Sequence, residues 1–385
     1  MKRLVLSLLL IYMAGACGKQ QPAQSSSPSP ASATAATAPV SGPFSNQELQ
    51  EFTALDPIDT HTHAYTSNPD LFAMLDRLNL HILDIVIVVD NDKTHATWTN
   101  FFRVRKAAWG AVHNSAGHAS LCTTFDPYKF NQPDFSKNAV REINRDFAQG
   151  AVAVKIWKNI GMEIKDAKGN YILPDNPVFG PIYKDIAAHH KTLIAHVADP
   201  NTIWEPPNPT SPDYSYYMEH PEWYMYNKHH AASKERILLA RDHLLEENPN
   251  LRVVGAHLGS MEANFNQLAQ RLDRYPNFAV DLAARMPYMM LQPRADIIAF
   301  VTKYQDRLIY ATDNEFFPTD NAQKTALVWE DQYANDWRFL ATNDMLVEQS
   351  SGRKVQGLAL PQSVLRKLYH DNAVKWFPGI LGSSH

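Results

Sequence analysis

Ile82-Leu83-Asp84-Ile85-Val86-Ile87-Val88-Val89 is an almost unbroken apolar, β-branched run. A strand with one wet face would alternate apolar and polar residues. A continuous run marks a strand buried on both faces, the situation of a parallel sheet covered by helices. Working outward, the same kind of segment recurs, each time separated from the next by a helix-period stretch. Strands are expected at Pro57–His61, Ile82–Val89, Ala119–Phe125, Ala151–Trp157, Thr192–His196, Arg252–His257, Phe278–Leu282 and Leu308–Thr312. Helices are expected between them at Pro69–Leu80, Thr94–Val112, Phe135–Gln149, Val178–His190, Ser233–Glu247, Glu262–Arg274 and Pro293–Tyr304, with Gly150 at a C′ position. A long insertion follows the eighth strand, and Gln362–Trp376 reads as the closing helix.

Eight strands alternating with helices predict an α/β fold, a (β/α)8 TIM barrel rather than an open doubly wound sheet. No G-x-G-x-x-G follows the first strand, which removes the usual dinucleotide-binding reading. The chain has 385 residues and a net charge of −4 without a basic stripe, so nucleic acid is not expected as a partner. Its two cysteines are Cys17 and Cys122, the latter in a strand-like run and read as a small core residue.

The N-terminal segment is read separately. Lys2 and Arg3 precede the apolar run Leu4–Met13, and small residues Ala14, Gly15 and Ala16 precede Cys17. That order is a secretory signal over residues 1–17. The cysteine after small residues resembles a bacterial lipobox, which implies cleavage before Cys17 and lipidation of its thiol; leucine is commoner than Ala14 in that motif, and a plain signal peptide is the alternative. Residues 18–45 are rich in Gln, Ser, Pro and Ala and should be a disordered tether, with the folded domain at 46–381. The protein is then exported, periplasmic or cell-surface, and touches a membrane only through its N-terminal lipid anchor. No second apolar run of about 20 residues suggests an integral membrane domain. Gly382-Ser383-Ser384-His385 resembles a purification-tag remnant.

The chemistry is carried by Asp59-Thr60-His61-Thr62-His63. Alternate side chains of a strand share a face, so His61 and His63 project together with Asp59 one step deeper. An isolated H-x-H is weak evidence for a metal. Here, however, Leu193-Ile194-Ala195-His196, Val254-Gly255-Ala256-His257 and Tyr310-Ala311-Thr312-Asp313 each set one polar residue directly after an apolar strand. In a barrel those strand ends converge on one face.

This series resembles the amidohydrolase superfamily. Ile58–His63, Gly255–Ser260, Tyr310–Asp313 and Tyr369-His370-Asp371-Asn372-Ala373 are similar to its amidohydrolase-2 branch, the relatives of aminocarboxymuconate semialdehyde decarboxylase. The resemblance implies one divalent ion, usually Zn²⁺ with Mn²⁺ or Fe²⁺ as alternatives, bound by His61, His63, His196 and Asp313. It implies Asp313 as the proton-transferring base and His257 as an electrophilic or hydrogen-bonding group. Lys155 should point into the barrel, because Val152, Val154 and Ile156 share the other face of its strand. It is read as a substrate-facing or structural ammonium, or as a carbamate bridging two metals with His257 as a further ligand.

Trp157, and Trp204 in the aromatic segment Trp204–Tyr226 after strand five, are candidate substrate contacts. That segment is either a lid or a loop packed on the barrel. Arg285 could hold a substrate carboxylate or be a plain surface residue; His189-His190 and His229-His230 are read as surface pairs. Three functions remain open. They are hydrolysis of a small amide, lactone or ester, non-oxidative decarboxylation of an aromatic or unsaturated acid, and a non-catalytic metal-containing binding lipoprotein. A small-molecule substrate is expected, and homo-oligomerisation is left open.

Overall fold

The apolar runs pair as parallel strands in chain order. β1 (Ile58–Ala64), β2 (His81–Ile85), β3 (Ala119–Thr124), β4 (Ala153–Ile156), β5 (Thr192–Ala195), β6 (Arg252–Gly255) and β7 (Phe278–Asp281) each lie beside the next. The eighth run is divided: β8 (Leu308–Ile309) pairs with β7, and β9 (Asn314–Phe316) pairs with β1. Between the halves, the Thr60 N–H donates to the Tyr310 carbonyl (3.2 Å) and the Asp313 N–H to the His61 carbonyl (2.8 Å). One kinked strand thus joins both edges and closes the (β/α)8 barrel. This computed structural model describes residues 39–89, 101–228 and 231–382.

Side-chain alternation divides the core in two. Ile58, Leu83, Ile85, Cys122, Ala153, Ile194, Val254, Ala279 and Ile309 fill the barrel interior. Val154, Ile156, Leu193, Val253 and Leu308 face the helical ring. Cys122 is buried, as its small apolar setting implied. Trp376, Phe377 and Ile380 join the inner cluster, and the hydroxyls of Thr192 and Ser120, at the starts of β5 and β3, donate to the Trp376 and Ile380 carbonyls. The C-terminal segment therefore plugs the N-terminal end of the barrel, leaving the opposite mouth for a site.

The helices follow their sequence signals. Phe135–Gln149 ends at Gly150 in the left-handed region (φ 110°), and Ser233 caps Lys234–Glu247 by accepting from the Arg236 N–H (3.2 Å). The described part of the helix expected at Thr94–Val112 spans Phe101–Asn114. The closing helix runs from Gln362 to Trp376 but loosens into a π turn over Lys367–Asp371.

The structure adds detail at two places. The insertion after the eighth strand contains a 20-residue helix, Ala322–Ala341, and an antiparallel pair, β10 (Met345–Glu348) and β11 (Arg353–Gln356). The tether does not run to 45: the Val40 N–H donates to the Met345 carbonyl (2.8 Å), and Arg338 donates to the Gly42 and Pro43 carbonyls (2.6 Å each). The signal segment with Cys17, the tether before residue 39, His229-His230 and residues 383–385 lie outside the described residues. Among the described residues no helix is long and apolar enough to cross a membrane.

The Asp59 carboxylate bolts β1 to the last strand. Its Oδ1 accepts from the His61 and Thr312 N–H groups (3.1 Å each), and its Oδ2 from the Thr312 hydroxyl (2.6 Å) and Tyr333 hydroxyl (2.9 Å). Burial pushes its pKa up to about 7 even against these donors. Tyr333→Phe should therefore lower the unfolding free energy by about 1.5–3 kcal/mol in a denaturant titration. Leu327→Ala, exposed on the same helix, should stay within about 0.5 kcal/mol of wild type. Equal behaviour of the two variants would refute this role for the Tyr333 hydroxyl.

Candidate metal centre

The period-two geometry of β1 brings the His61 and His63 rings to the C-terminal mouth, and Asp313 meets them from the kink in the eighth strand. Asp313 (φ 70°) and His257 (φ 58°) both hold left-handed backbone, unusual for residues other than glycine. Each is fixed by a backbone hydrogen bond, Asp313 to the His61 carbonyl and the His257 N–H to Asp281 Oδ1 (2.7 Å). His61 Nε2 and His63 Nε2 each stand 3.4 Å from Asp313 Oδ1. Ligands sharing one tetrahedral zinc at about 2.0–2.1 Å are separated by about 3.4 Å, so this spacing fits a single ion. Ligand atoms of His61, His63 and Asp313 all lie within 4.8 Å of one another, as do those of His61, His257 and Asp281.

The outer nitrogen of each ring shows which nitrogen faces the centre. His61 Nδ1 donates to Asp281 Oδ2 (2.9 Å), His63 Nδ1 to the Ile85 carbonyl (2.7 Å) and His257 Nδ1 to the Ala283 carbonyl (2.9 Å). These oxygens only accept, so the three rings carry their proton on Nδ1 and keep Nε2 bare. His196 is inverted: Nε2 donates to Asp199 Oδ1 (2.9 Å), which leaves Nδ1 as its ligand atom. His196 stands outside both clusters, with its ring centroid 4.3 Å from that of His257, which in turn lies 4.9 Å from His61.

Burial drives the His61 and His257 pKa values well below the ordinary imidazole value, and that of His196 to about 4 against the pull of Asp199. Neutral imidazoles are the form that binds metal. For Asp313, burial alone would raise the pKa, but His257, His61 and His63 outweigh it and hold it well below the carboxylate range. With 32 % of its side chain open, Asp313 is the exposed member of an otherwise buried set. With its Nδ1–H committed to the Ala283 carbonyl, His257 has Nε2 left as its second polar atom.

Lys155 points into the barrel, as expected. It is fully buried, and its Nζ lies 2.9 Å from His61 Nε2. Burial brings its pKa down to about 8 against the opposing charges of Asp281 and Asp313. Thr124, Phe125, Trp157 and Asn159 line the same narrow crevice as Lys155.

The remaining candidates belong to the loop after β5 or meet it. Trp204 packs on the core and donates its indole N–H to the Ala232 carbonyl (3.1 Å). Arg285 is buried rather than superficial. It donates to the Ala284 carbonyl (2.9 Å) and faces Asp213 of the loop at 4.0 Å, a carboxylate that also accepts from the Tyr288 hydroxyl. The surface reading is thus corrected, and Arg285 keeps a buried Nε–H without a hydrogen-bond partner among the described residues. His189 and His190 are exposed, as read. Asp281, Asp199 and Lys158 were missed in the sequence. Asp281 ends the apolar run Phe278-Ala279-Val280, the same signal that marked His196, His257 and Asp313.

A closed parallel barrel with a histidine–carboxylate cluster at its C-terminal mouth defines an enzyme of the amidohydrolase-fold class. The Amidohydrolase family profile matches residues 58–379, and the chain belongs to that family. No curated protein sequence matches the chain. Among solved structures it is similar to an uncharacterised TIM-barrel protein from Bordetella bronchiseptica, at 13% identity and a TM-score of 0.47 over 83% of this chain and 97% of that one. It is also similar to the 2,6-dihydroxybenzoate decarboxylase from Rhizobium, at 12% identity and a TM-score of 0.47 over 83% and 98%. A third is a probable 2-pyrone-4,6-dicarboxylic acid hydrolase from Acinetobacter baumannii, at 11% identity and a TM-score of 0.44 over 84% and 99%.

Two outcomes are expected on adding metal. One divalent ion per chain should bind in both wild type and Lys155→Ala by elemental analysis; two ions in wild type, falling to one in the variant, would instead signal a carbamate-bridged pair. Affinity should also fall as pH drops from about 8 to about 6, because each imidazole must shed any proton before it binds. His63 leads that fall: burial lowers its pKa, but the Asp313 carboxylate outweighs burial and lifts it above the ordinary value. Chelator competition across that range would read the slope, and a flat profile would point to ligands other than these histidines.

Proposed function

We propose that this protein is a metal-dependent hydrolase of a small, uncharged carbonyl substrate, an amide, lactone or ester, using one divalent ion with zinc as the first candidate. The observation that carries the reading is Asp313: an ionised carboxylate, open to the mouth, beside the bare Nε2 atoms of two buried imidazoles. When bound, the ion supplies Lewis acidity, which draws charge from a carbonyl and lowers the pKa of a water from 15.7 toward ~7. His61, His63, His196 and Asp313 would hold it, and Asp281 and the Ile85 carbonyl orient the first two rings. Asp313 takes the proton of the attacking water and returns it to the leaving group. His257 Nε2, facing the same mouth, accepts a hydrogen bond from a substrate N–H or O–H. The reading includes export, with Lys2–Cys17 as signal and lipidation site.

Metal-replete protein should hydrolyse members of an amide, lactone and ester panel, lose activity on chelation, and place ¹⁸O from labelled water in the product. Asp313→Asn should lower kcat about 10²–10⁴-fold, the usual loss when a general base is removed. Carbon dioxide release without ¹⁸O incorporation would overturn hydrolysis in favour of a decarboxylase. Ligand binding unchanged in Asp313→Ala, with no turnover on any substrate, would make the protein a binder.

A further inference from the structure

His196 differs from the other three histidines of the mouth in the nitrogen it commits outward. The others are tied at Nδ1 by groups the barrel supplies at its strand ends, the Ile85 and Ala283 carbonyls and Asp281. His196 is tied at Nε2, by the side chain of Asp199 three residues further along. Both oxygens of that carboxylate are used: Oδ1 accepts from His196, and Oδ2 accepts from Lys158 Nζ at 2.7 Å. Lys158 and Asp199 are almost wholly buried, and a carboxylate so placed is costly without its cation.

The ammonium is enclosed as well as paired. Its Nζ lies 4.7 Å from the ring centroid of Trp223, 5.1 Å from Tyr216, 5.6 Å from Trp157 and 5.9 Å from Tyr217, all within cation–π range, and it donates to the Tyr216 hydroxyl at 3.3 Å. Tyr216, Tyr217 and Trp223 belong to the aromatic loop that follows His196 in the chain. One cation therefore anchors that loop and, through Asp199, the ring at the loop's start.

We propose that Lys158 and Asp199 are a positioning pair that fixes His196 in its Nε2-protonated tautomer and presents Nδ1 to the metal centre, the aromatic loop keeping the pair dry. The proposal rests on the metal-centre reading. Neither residue touches substrate or ion; both act through His196. Removing the lysine alone strands a buried carboxylate beside the ring. Removing both charges while keeping an acceptor, as in Lys158→Met with Asp199→Asn, leaves an amide oxygen to receive the Nε2–H.

The test measures zinc affinity by chelator competition and the His196 ring tautomer by ¹⁵N chemical shift in metal-free protein, with His196→Gln providing the assignment. Wild type should show a protonated Nε2 and a bare Nδ1. Lys158→Met and Asp199→Leu should each bind zinc about 10–100-fold more weakly, the usual cost of losing the group that orients a metal-binding histidine. The double variant Lys158→Met/Asp199→Asn should recover most of that loss. A merely structural ion pair would lower the melting temperature of the metal-free protein and leave both affinity and tautomer unchanged, which would overturn the proposal. So would an Nδ1-protonated His196 in wild type, a result that needs no variant to fold. Absence of zinc binding by wild type would remove the metal-centre reading itself, and the tautomer measurement would then still decide whether the pair orients the ring.

Discussion

A single buried carboxylate, Asp59, sets the register on which this barrel's mouth depends. The last strand must join β1 to close the sheet, and side chains of a strand alternate between its faces. A slip of one residue between them would send His61 and His63 outward and leave Asp313 without partners. Asp59 prevents the slip by gathering donors from His61, Thr312 and Tyr333. Two of these sit on the strands that carry the ligands, and the third on the helix of the insertion. That insertion is consequently part of the frame of the site. Arg338, on the same helix, also secures the residues that enter the fold at its N-terminal end.

What could be read in the sequence was local. The H-x-H of β1 and the polar residue ending each apolar strand are short-range patterns, and the barrel brings those strand ends together whatever the loops do. Asp281 carried the same signal. The eighth strand was read only to Thr312 because polar residues follow it. In fact it kinks at Asp313 and resumes through Asn314–Phe316, a polar stretch that backbone pairing with β1 holds in place. The insertion helix was hidden for a related reason: it buries Glu330, Asp336 and Arg338 along with Trp329, Tyr333 and Trp337, which blurs its apolar stripe.

What could not be read depends on atoms with no sequence signature. The ring nitrogens that His63 and His257 offer are decided by the backbone carbonyls of Ile85 and Ala283, whose side chains say nothing about them. Left-handed backbone at His257 and Asp313 follows from the turn geometry after β6 and in the split strand. Ion pairs across loops, such as Lys158 with Asp199 or Arg285 with Asp213, join residues whose spacing in the chain predicts no contact. Arg285 shows the consequence: its residue type suits an anion anchor, and only the fold reveals that it is buried and faces Asp213 of the loop.

Charge pairing around the mouth bears on what can enter it. Lys158 pairs with Asp199, Arg285 faces Asp213, and Lys234 pairs with Glu262 at 3.0 Å. All three pairs involve or border the loop after β5. Lys155, the deepest cation, contacts His61 and feels both Asp281 and Asp313. Each of these four cations thus has an anion of the chain nearby, while Arg285 keeps a buried Nε–H without a hydrogen-bond partner among the described residues. A substrate carboxylate would compete with these internal anions, and displacing one would leave a buried charge unpaired. Under the proposed hydrolytic reading, an uncharged carbonyl compound would need no such exchange, because its charge develops only toward the transition state, where stabilisation accelerates reaction.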